Sequence, residues 1–123
     1  MNDEAYHNLA KVLDTLPYGF PTTPSGVEIE ILKKIFAPEE AELFCDLRLT
    51  PETAVQIAER TGRALEGLEQ KLISMWKTGE LWASEFDGIW TFKMIPWVDG
   101  IYEFQLKRMD QDFAIMIEEY KLY

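Results

Sequence analysis

The segment 47–95 constrains the fold more than any other part of the chain. It begins with LRLT (47–50), a pattern that predicts a short strand, and continues with TAVQIAER, whose start is marked by the capping-box pair Thr53 and Gln56. The dipeptide Thr61–Gly62 then predicts a sharp turn, because glycine adopts a positive φ at little cost. A short strand and a helix that ends in a tight turn are therefore expected here.

A second helix is predicted after this turn, from about Ala64 to Gly79. Its apolar residues share one face at helical spacing; they are Leu65, Leu68, Leu72, Met75 and Trp76. Two strand-like runs, LWAS and IWTFKMI, then enclose EFDG, and Asp87–Gly88 is a strong hairpin signal. Strand, helix, turn, helix and hairpin is the order of a winged helix-turn-helix, so we predict a mainly α fold with a small β-hairpin wing.

Extra helices are expected before this segment. The predicted N-terminal helices span 3–16, 26–36 and 38–46. The loop 17–26 contains three prolines and two glycines, which exclude both a helix and a continuous strand. Ser25 and Glu28 have the capping-box spacing and predict the start of the second helix.

A long C-terminal helix is predicted from about Gly100 onward. Its apolar residues follow spacings of 4, 3, 4, 3, 4 and 3, which is a heptad seam; they are Tyr102, Leu106, Met109, Phe113, Met116, Tyr120 and Tyr123. The first helix matches only about half of this seam, so we expect the rest to meet a second copy of the chain in a two-fold dimer. The alternative is that the seam folds back entirely onto its own domain.

Charge argues against a nucleic-acid partner. The formal charge is −10, of which residues 1–46 carry −6, residues 96–123 carry −3 and residues 47–95 only −1. Nucleic-acid binders gain most of their affinity from clustered lysine and arginine, whereas the predicted wing tip carries Glu85 and Asp87. We expect no specific nucleic-acid binding, with a DNA-binding transcription regulator as the alternative function.

No pattern in the sequence predicts an active site or a cofactor. The single cysteine, Cys45, and the single histidine, His7, cannot by themselves hold zinc or an iron–sulfur cluster. The paired carboxylates have no nearby histidine or glycine-rich loop that would give them acid–base or phosphate chemistry. No apolar run approaches the roughly 18 residues of a membrane span. We therefore expect a cytoplasmic protein that is not an enzyme and has neither cofactor nor membrane partner.

The tryptophans offer a possible contact surface. Trp82 and Trp90 lie on opposite arms of the predicted hairpin, where they are expected to pair. Core packing is the favoured interpretation of the tryptophans, and an exposed aromatic patch for a partner is the alternative. Together with the seam, they make up the candidate interaction surface: Trp82, Trp90, Tyr102, Leu106, Met109, Phe113, Met116 and Tyr120.

Most of the chain resembles the N-terminal domain of bacterial and archaeal ferredoxin-type proteins that bind 4Fe-4S clusters. The matching stretches are LPYGFPTTPSGVEIEILKKIFAPEEAELFCDLRL, QIAERTGRALEGLEQKLISMWKTGEL and IPWVDGIYEFQ. The resemblance implies a winged-helix region followed by two C-x-x-C-x-x-C-x-x-x-C-P motifs that hold the clusters for electron transfer. These 123 residues contain no such motif, so clusters are expected only in a C-terminal continuation.

The resemblance and the residue patterns together give one expectation for the whole chain. It is a single domain, 1–123, made of N-terminal helices (1–46), a winged helix (47–95) and a C-terminal helix (96–123). We expect the N-terminal part of a longer iron–sulfur protein, acting as a non-catalytic docking or dimerisation module. Its partner is then a second copy, an oxidoreductase, or both.

Overall fold

The computed structural model describes residues 3–121, which form seven α-helices and one two-stranded antiparallel sheet. The helices are α1 (Glu4–Thr15), α2 (Val27–Ile35), α3 (Pro38–Cys45), α4 (Ala54–Thr61), α5 (Leu68–Lys77), α6 (Tyr102–Gln105) and α7 (Gln111–Lys121). The strands are β1 (Trp82–Phe86) and β2 (Ile89–Lys93), and an irregular turn, Trp97–Ile101, precedes α6. The prediction of a mainly α fold with a small hairpin is confirmed.

The three N-terminal helices form within one residue or two of their predicted bounds, and α1 packs against both α2 and α3. Leu9 and Leu13 on α1 are fully buried. The capping box predicted for α2 is wrong. Gly26, with a φ of 74°, is the N-cap residue, and the Ser25 hydroxyl accepts from the Val27 N–H at 3.3 Å rather than from that of Glu28. The Glu28 carboxylate accepts hydrogen bonds from the backbone N–H and the hydroxyl of Thr23.

The capping box predicted for α4 is confirmed. The Thr53 hydroxyl accepts from the Gln56 N–H at 3.2 Å, and the Gln56 side chain accepts from the Thr53 N–H at 2.9 Å. Gly62 ends α4 with a φ of 79°, as its sequence position indicated. Both signals depend only on neighbouring residues, which is why the sequence was sufficient to predict them.

The next helix begins later than predicted. Gly67 has a φ of 78° and precedes α5, so residues 62–67 form a connection rather than the first turn of the helix. Leu65, which was expected in the core, is consequently 49% exposed. Leu68, Leu72 and Met75 are buried as predicted.

The hairpin turn forms at Asp87 and Gly88, whose φ angles of 52° and 80° give the turn that tightly connected strands favour. The strand predicted at 47–50 does not form. Instead Glu52 and Phe92 exchange backbone hydrogen bonds of 3.0 and 2.8 Å as a single bridge to β2. The Met94 N–H also donates to the Arg48 carbonyl at 2.9 Å, so residues 48–52 lie beside the end of the hairpin without forming a regular ladder.

The predicted long C-terminal helix is wrong, because the chain divides into the irregular turn, α6 and α7. The Asp110 carboxylate accepts from the Phe113 N–H at 2.7 Å and so begins a new helix inside the expected seam. In α7, Phe113 and Ile117 are buried, and this helix packs chiefly on α2 rather than on α1. Tyr123, the last seam residue, lies outside the described residues.

Buried side chains from both halves of the chain form one connected cluster. It extends from Tyr6 in α1 to Ile117 in α7 and includes Phe92 of the hairpin. Gln105 is buried beside it and donates to the Thr78 carbonyl at 2.9 Å, which fastens α6 to the end of α5. The hairpin packs on α5 through β1 and on α4 through β2, and Phe104 of α6 contacts Trp82 at the start of β1.

Candidate docking surface on the hairpin and its helices

A groove of about 470 Å³ lies between the start of α4, the start of α5 and the hairpin tip. Its apolar lining residues define what we call the wing groove: Val55, Leu65, Ile89 and Trp90. Three of these side chains are exposed, and Trp90 is half-buried. Exposed branched side chains on three separate elements therefore face a shared depression.

The local sequence explains why these side chains remain outside the core. Val55 lies in the first turn of α4, two positions before the buried Ile57, and so on a different face of the helix. Leu65 lies in the connection that Gly67 separates from α5. Trp90 packs against Trp76, with ring centroids 5.5 Å apart, and against Phe92 at 6.3 Å. The indole is therefore a fixed wall of the groove.

A second apolar surface lies on the outer face of the hairpin. The register pairs Phe86 with Ile89 and Trp82 with Lys93, so Phe86, Ile89 and Trp82 lie on one face. Phe86 is 79% exposed. Phe104 of α6 stacks on Trp82 at 6.2 Å between ring centroids. We call Trp82, Phe86, Ile89 and Phe104 the wing face; it meets the wing groove at Ile89.

Three cations on α4, α5 and the connection between them are held in ion pairs. Arg60 donates to Glu52 at 2.6 Å and to the Asp46 carbonyl at 2.7 Å, and its guanidinium keeps the pKa of Glu52 below the usual value. Arg63 binds the Asp46 carboxylate at 2.8 Å. Lys71 lies 3.2 Å from Glu40 and 3.6 Å from Glu39.

Acidic side chains flank the same groove. Glu69 lines it, and Glu85 and Asp87 lie at the hairpin tip, where Glu85 accepts from the Gly88 N–H at 2.6 Å. Lys77 and Lys93 lie at the ends of α5 and β2 that are farther from the groove. The surface is therefore apolar with an acidic rim.

The two tryptophans do not pair as predicted. Trp82 lies opposite Lys93 and Trp90 lies opposite Glu85, so the indoles occupy opposite faces of the hairpin. The signal that would have corrected this prediction is in the sequence. A two-residue turn centred on Asp87–Gly88 fixes every cross-strand pair, and applying that register excludes a Trp82–Trp90 contact.

The structure distributes the predicted seam residues over different environments. Phe113 is buried, while Met109 and Met116 are half-buried and pack on the core. Leu106 is 54% exposed in the turn after α6. Tyr102 and Tyr120 line a cavity beside the loop 17–26. The candidate surface predicted from the sequence is therefore not continuous.

Residues that the sequence reasoning missed include Val55, Leu65, Ile89, Phe86 and Phe104. Phe86 and Ile89 directly flank the hairpin turn, so the turn signal alone places them together. Leu65 fits the helical spacing of its neighbours, and only the positive φ of Gly67 removes it from the helix face. The position of Phe104 depends on how α6 packs against β1, which no local pattern encodes.

Among residues 3–121, no group of three or more histidine, cysteine, aspartate or glutamate side chains is placed to hold a metal ion. Burial raises the pKa of the Cys45 thiol to about 11, with Asp46 and Glu42 adding to the effect. One cysteine cannot supply the thiolates of a 4Fe-4S cluster, so no residue here is assigned to one. None of the helices described is both long and apolar enough to cross a membrane. Comparisons of the chain with protein-family models, with curated proteins and with solved structures gave no match.

Proposed function

We propose that this chain is a winged-helix domain that docks another protein through the wing groove. The order α4, turn, α5 and hairpin supports the winged-helix assignment, and so does the bridge from Glu52 to β2, which lies where such domains carry a third strand. The observation that carries the docking function is the character of the groove. It is apolar with acidic neighbours, and Arg60 and Arg63, at the end of α4 and just after it, are already paired.

A DNA-binding transcription regulator is the competing function, and the same surface argues against it. The recognition helix of a winged helix lies in the major groove, and the wing contacts the flanking backbone. Carboxylates at Glu69, Glu85 and Asp87 would then face phosphates. A protein interface, by contrast, typically has an apolar centre with aromatic residues and a polar rim.

The wider setting of the proposal is a cytoplasmic 4Fe-4S electron-transfer protein, in which this domain is a non-catalytic docking or dimerisation module. That setting rests on the resemblance of the three sequence stretches to ferredoxin-type proteins. It is tested by reading the gene beyond Tyr123, where two cysteine motifs are expected. A continuation without them would remove the iron–sulfur setting and leave the docking proposal unchanged.

The docking proposal is tested by photo-crosslinking in the source cells. A photoreactive amino acid replaces Leu65 in the wing groove, and a matched probe replaces Leu49, which is equally exposed but outside the groove, as control. We expect a discrete protein adduct from position 65 and none of the same size from position 49. The substitution Ile89→Glu should abolish that adduct, because it places a charge at the centre of the groove.

The same experiment has an outcome that favours the regulator. A nucleic-acid adduct from position 65, together with selection of a duplex sequence bound below about 10⁻⁸ M at physiological salt, would contradict the docking proposal. Equal protein adducts from positions 65 and 49 would also contradict it, because the wing groove would then have no preference over another exposed face.

A further inference from the structure

A second cavity lies between the loop 17–26, the irregular turn Trp97–Ile101 and α7. Its volume is about 320 Å³, which is within the range of small-molecule sites. Four aromatic side chains line it: Tyr18, Trp97, Tyr102 and Tyr120. None of them belongs to the wing groove, so this cavity is a separate feature.

The aromatic rings are held in place by contacts beneath the cavity. Phe20 is fully buried, and its ring centroid lies 5.1 Å from that of Trp97 and 5.2 Å from that of Tyr120. Trp97 in turn contacts Tyr102 at 5.6 Å. The Tyr120 hydroxyl donates to the Pro21 carbonyl at 2.7 Å. The rings of Trp97, Tyr102 and Tyr120 are thus held in place, and the exposed Tyr18 lies at the rim of the cavity.

Two carboxylates lie directly behind the cavity wall. The Glu28 carboxylate is buried and accepts from the Thr23 hydroxyl at 2.6 Å, and Thr23 lines the cavity. Asp14 accepts from the Phe20 N–H at 2.8 Å and lies so close to Gly19 that a β-carbon there would come within 2.9 Å of its Oδ1. Burial raises the pKa of Tyr120, and the Glu28 and Asp14 carboxylates raise it further.

The chain already places one of its own cations against this wall. The Lys121 Nζ lies 5.6 Å from the centroid of the Tyr102 ring and 3.8 Å from the Glu118 carboxylate. The Lys121 side chain is half exposed, so it can leave the ring without breaking a buried contact. The Lys121 ammonium thus occupies a position that a positively charged ligand could take.

From this arrangement we propose that the cavity is an aromatic cage for a quaternary ammonium group. Aromatic faces attract cations through the ring quadrupole, and cages of this kind select methylated ammonium groups because those lose little hydration on entry. The carboxylates of Glu28 and Asp14 favour positive charge at the same place and disfavour an anionic aromatic ligand. The ligand class is therefore an organic cation of modest size.

The test uses choline as the probe and 3,3-dimethyl-1-butanol, its neutral isostere, as the control for shape. Binding to the full chain is followed by NMR shifts of the Trp97 indole and by calorimetry. We expect saturable binding of choline at millimolar or tighter Kd, and binding of the neutral isostere that is weaker by about 2- to 30-fold, the range of one cation–π contact. A peptide carrying trimethyl-lysine is the second probe. If it binds more tightly than choline, the source of the cation is a protein side chain rather than a free metabolite.

Three variants locate the binding. Tyr102→Leu should weaken choline binding by about 2- to 30-fold, whereas Lys121→Met should strengthen it, because the internal cation no longer occupies the ring. Phe86→Leu, on the remote wing face at a residue as exposed as Tyr18, should leave the Kd unchanged. Tyr18→Leu removes a cavity ring that is 79% exposed, so it should change choline binding without disturbing the fold.

Two results would overturn the proposal. One is equal binding of choline and its neutral isostere, which would make the cavity a site for apolar groups without regard to charge. The other is an absence of saturable binding by both choline and the trimethyl-lysine peptide, with Tyr18→Leu and the unmodified chain giving the same spectra on titration. Neither result would affect the docking proposal, which concerns the wing groove.

Discussion

At the scale of single residues, Glu80 is the most perturbed group among those described. It is 1% exposed, and its Oε1 atom has no hydrogen-bond partner among residues 3–121. Its pKa is raised to about 8, chiefly by burial and also by the neighbouring Glu40 carboxylate, while the Thr78 hydroxyl and Lys71 act in the opposite direction. The folded protein therefore holds a proton on Glu80 at neutral pH.

This protonation makes stability depend on pH. Because the folded-state pKa lies above the unfolded value of 4.5, the folded state binds the extra proton between pH 4.5 and 8. The stabilising contribution is thus complete below pH 4.5 and is lost as pH rises toward 8, by roughly 3–5 kcal/mol in total. Denaturant unfolding across this range should show the loss, and Glu80→Gln should remove it.

The exposed Glu66→Gln is the matched control on the connection before α5 and should leave the pH dependence as it is in the unmodified chain. If the free energy of unfolding has the same dependence on pH between 4.5 and 8 in the unmodified chain and in Glu80→Gln, the folded-state pKa of Glu80 is not raised and its carboxylate is ionised in the folded state. In that case the Lys71 ammonium, and not burial, would dominate its environment.

At the scale of elements, Asp110 decides where the C-terminal region divides. Its carboxylate accepts from the Phe113 N–H, so it acts as the cap of α7. Asp110→Ala should lower the free energy of unfolding by about 1 kcal/mol, and hydrogen exchange should speed up at the first amides of α7. Asp110→Asn keeps an acceptor and should lose much less. Equal effects of the two substitutions would indicate that the ion pair with Lys34, at 3.7 Å, matters instead.

The elements that the sequence predicted well are those whose ends depend on neighbouring residues. Thr53 with Gln56, and Asp87 with Gly88, fix a helix start and a hairpin turn within four residues. Two element boundaries could not be predicted from local patterns. Asp110 lies within an uninterrupted heptad pattern of the sequence, and Gly67 is compatible with a helix interior until its positive φ is known. The wing groove was missed because it depends on where α5 begins.

At the scale of the whole molecule, two surfaces could cover the C-terminal apolar residues: a second copy or the chain itself. The heptad spacing predicted that half of the seam packs against a second copy. Phe113 and Ile117 are instead covered by α2 of the same chain, and up to residue 121 the large apolar side chains of this region that remain more than half exposed are Leu106 and Ile115. A dimer through α7, which stays part of our proposal, would therefore use Ile115 and not Phe113.

Two substitutions separate these roles. Phe113→Ala should lower the free energy of unfolding by about 3–5 kcal/mol, because it leaves a cavity in the core, and this loss should be the same at every protein concentration. Ile115→Glu should leave the monomer's stability almost unchanged. In a dimer the thermal midpoint rises with protein concentration, so we expect such a rise in the unmodified chain and its disappearance in Ile115→Glu. If the unmodified chain sediments as a monomer at high micromolar concentration, the dimer is excluded and α7 serves only to close the core over α2.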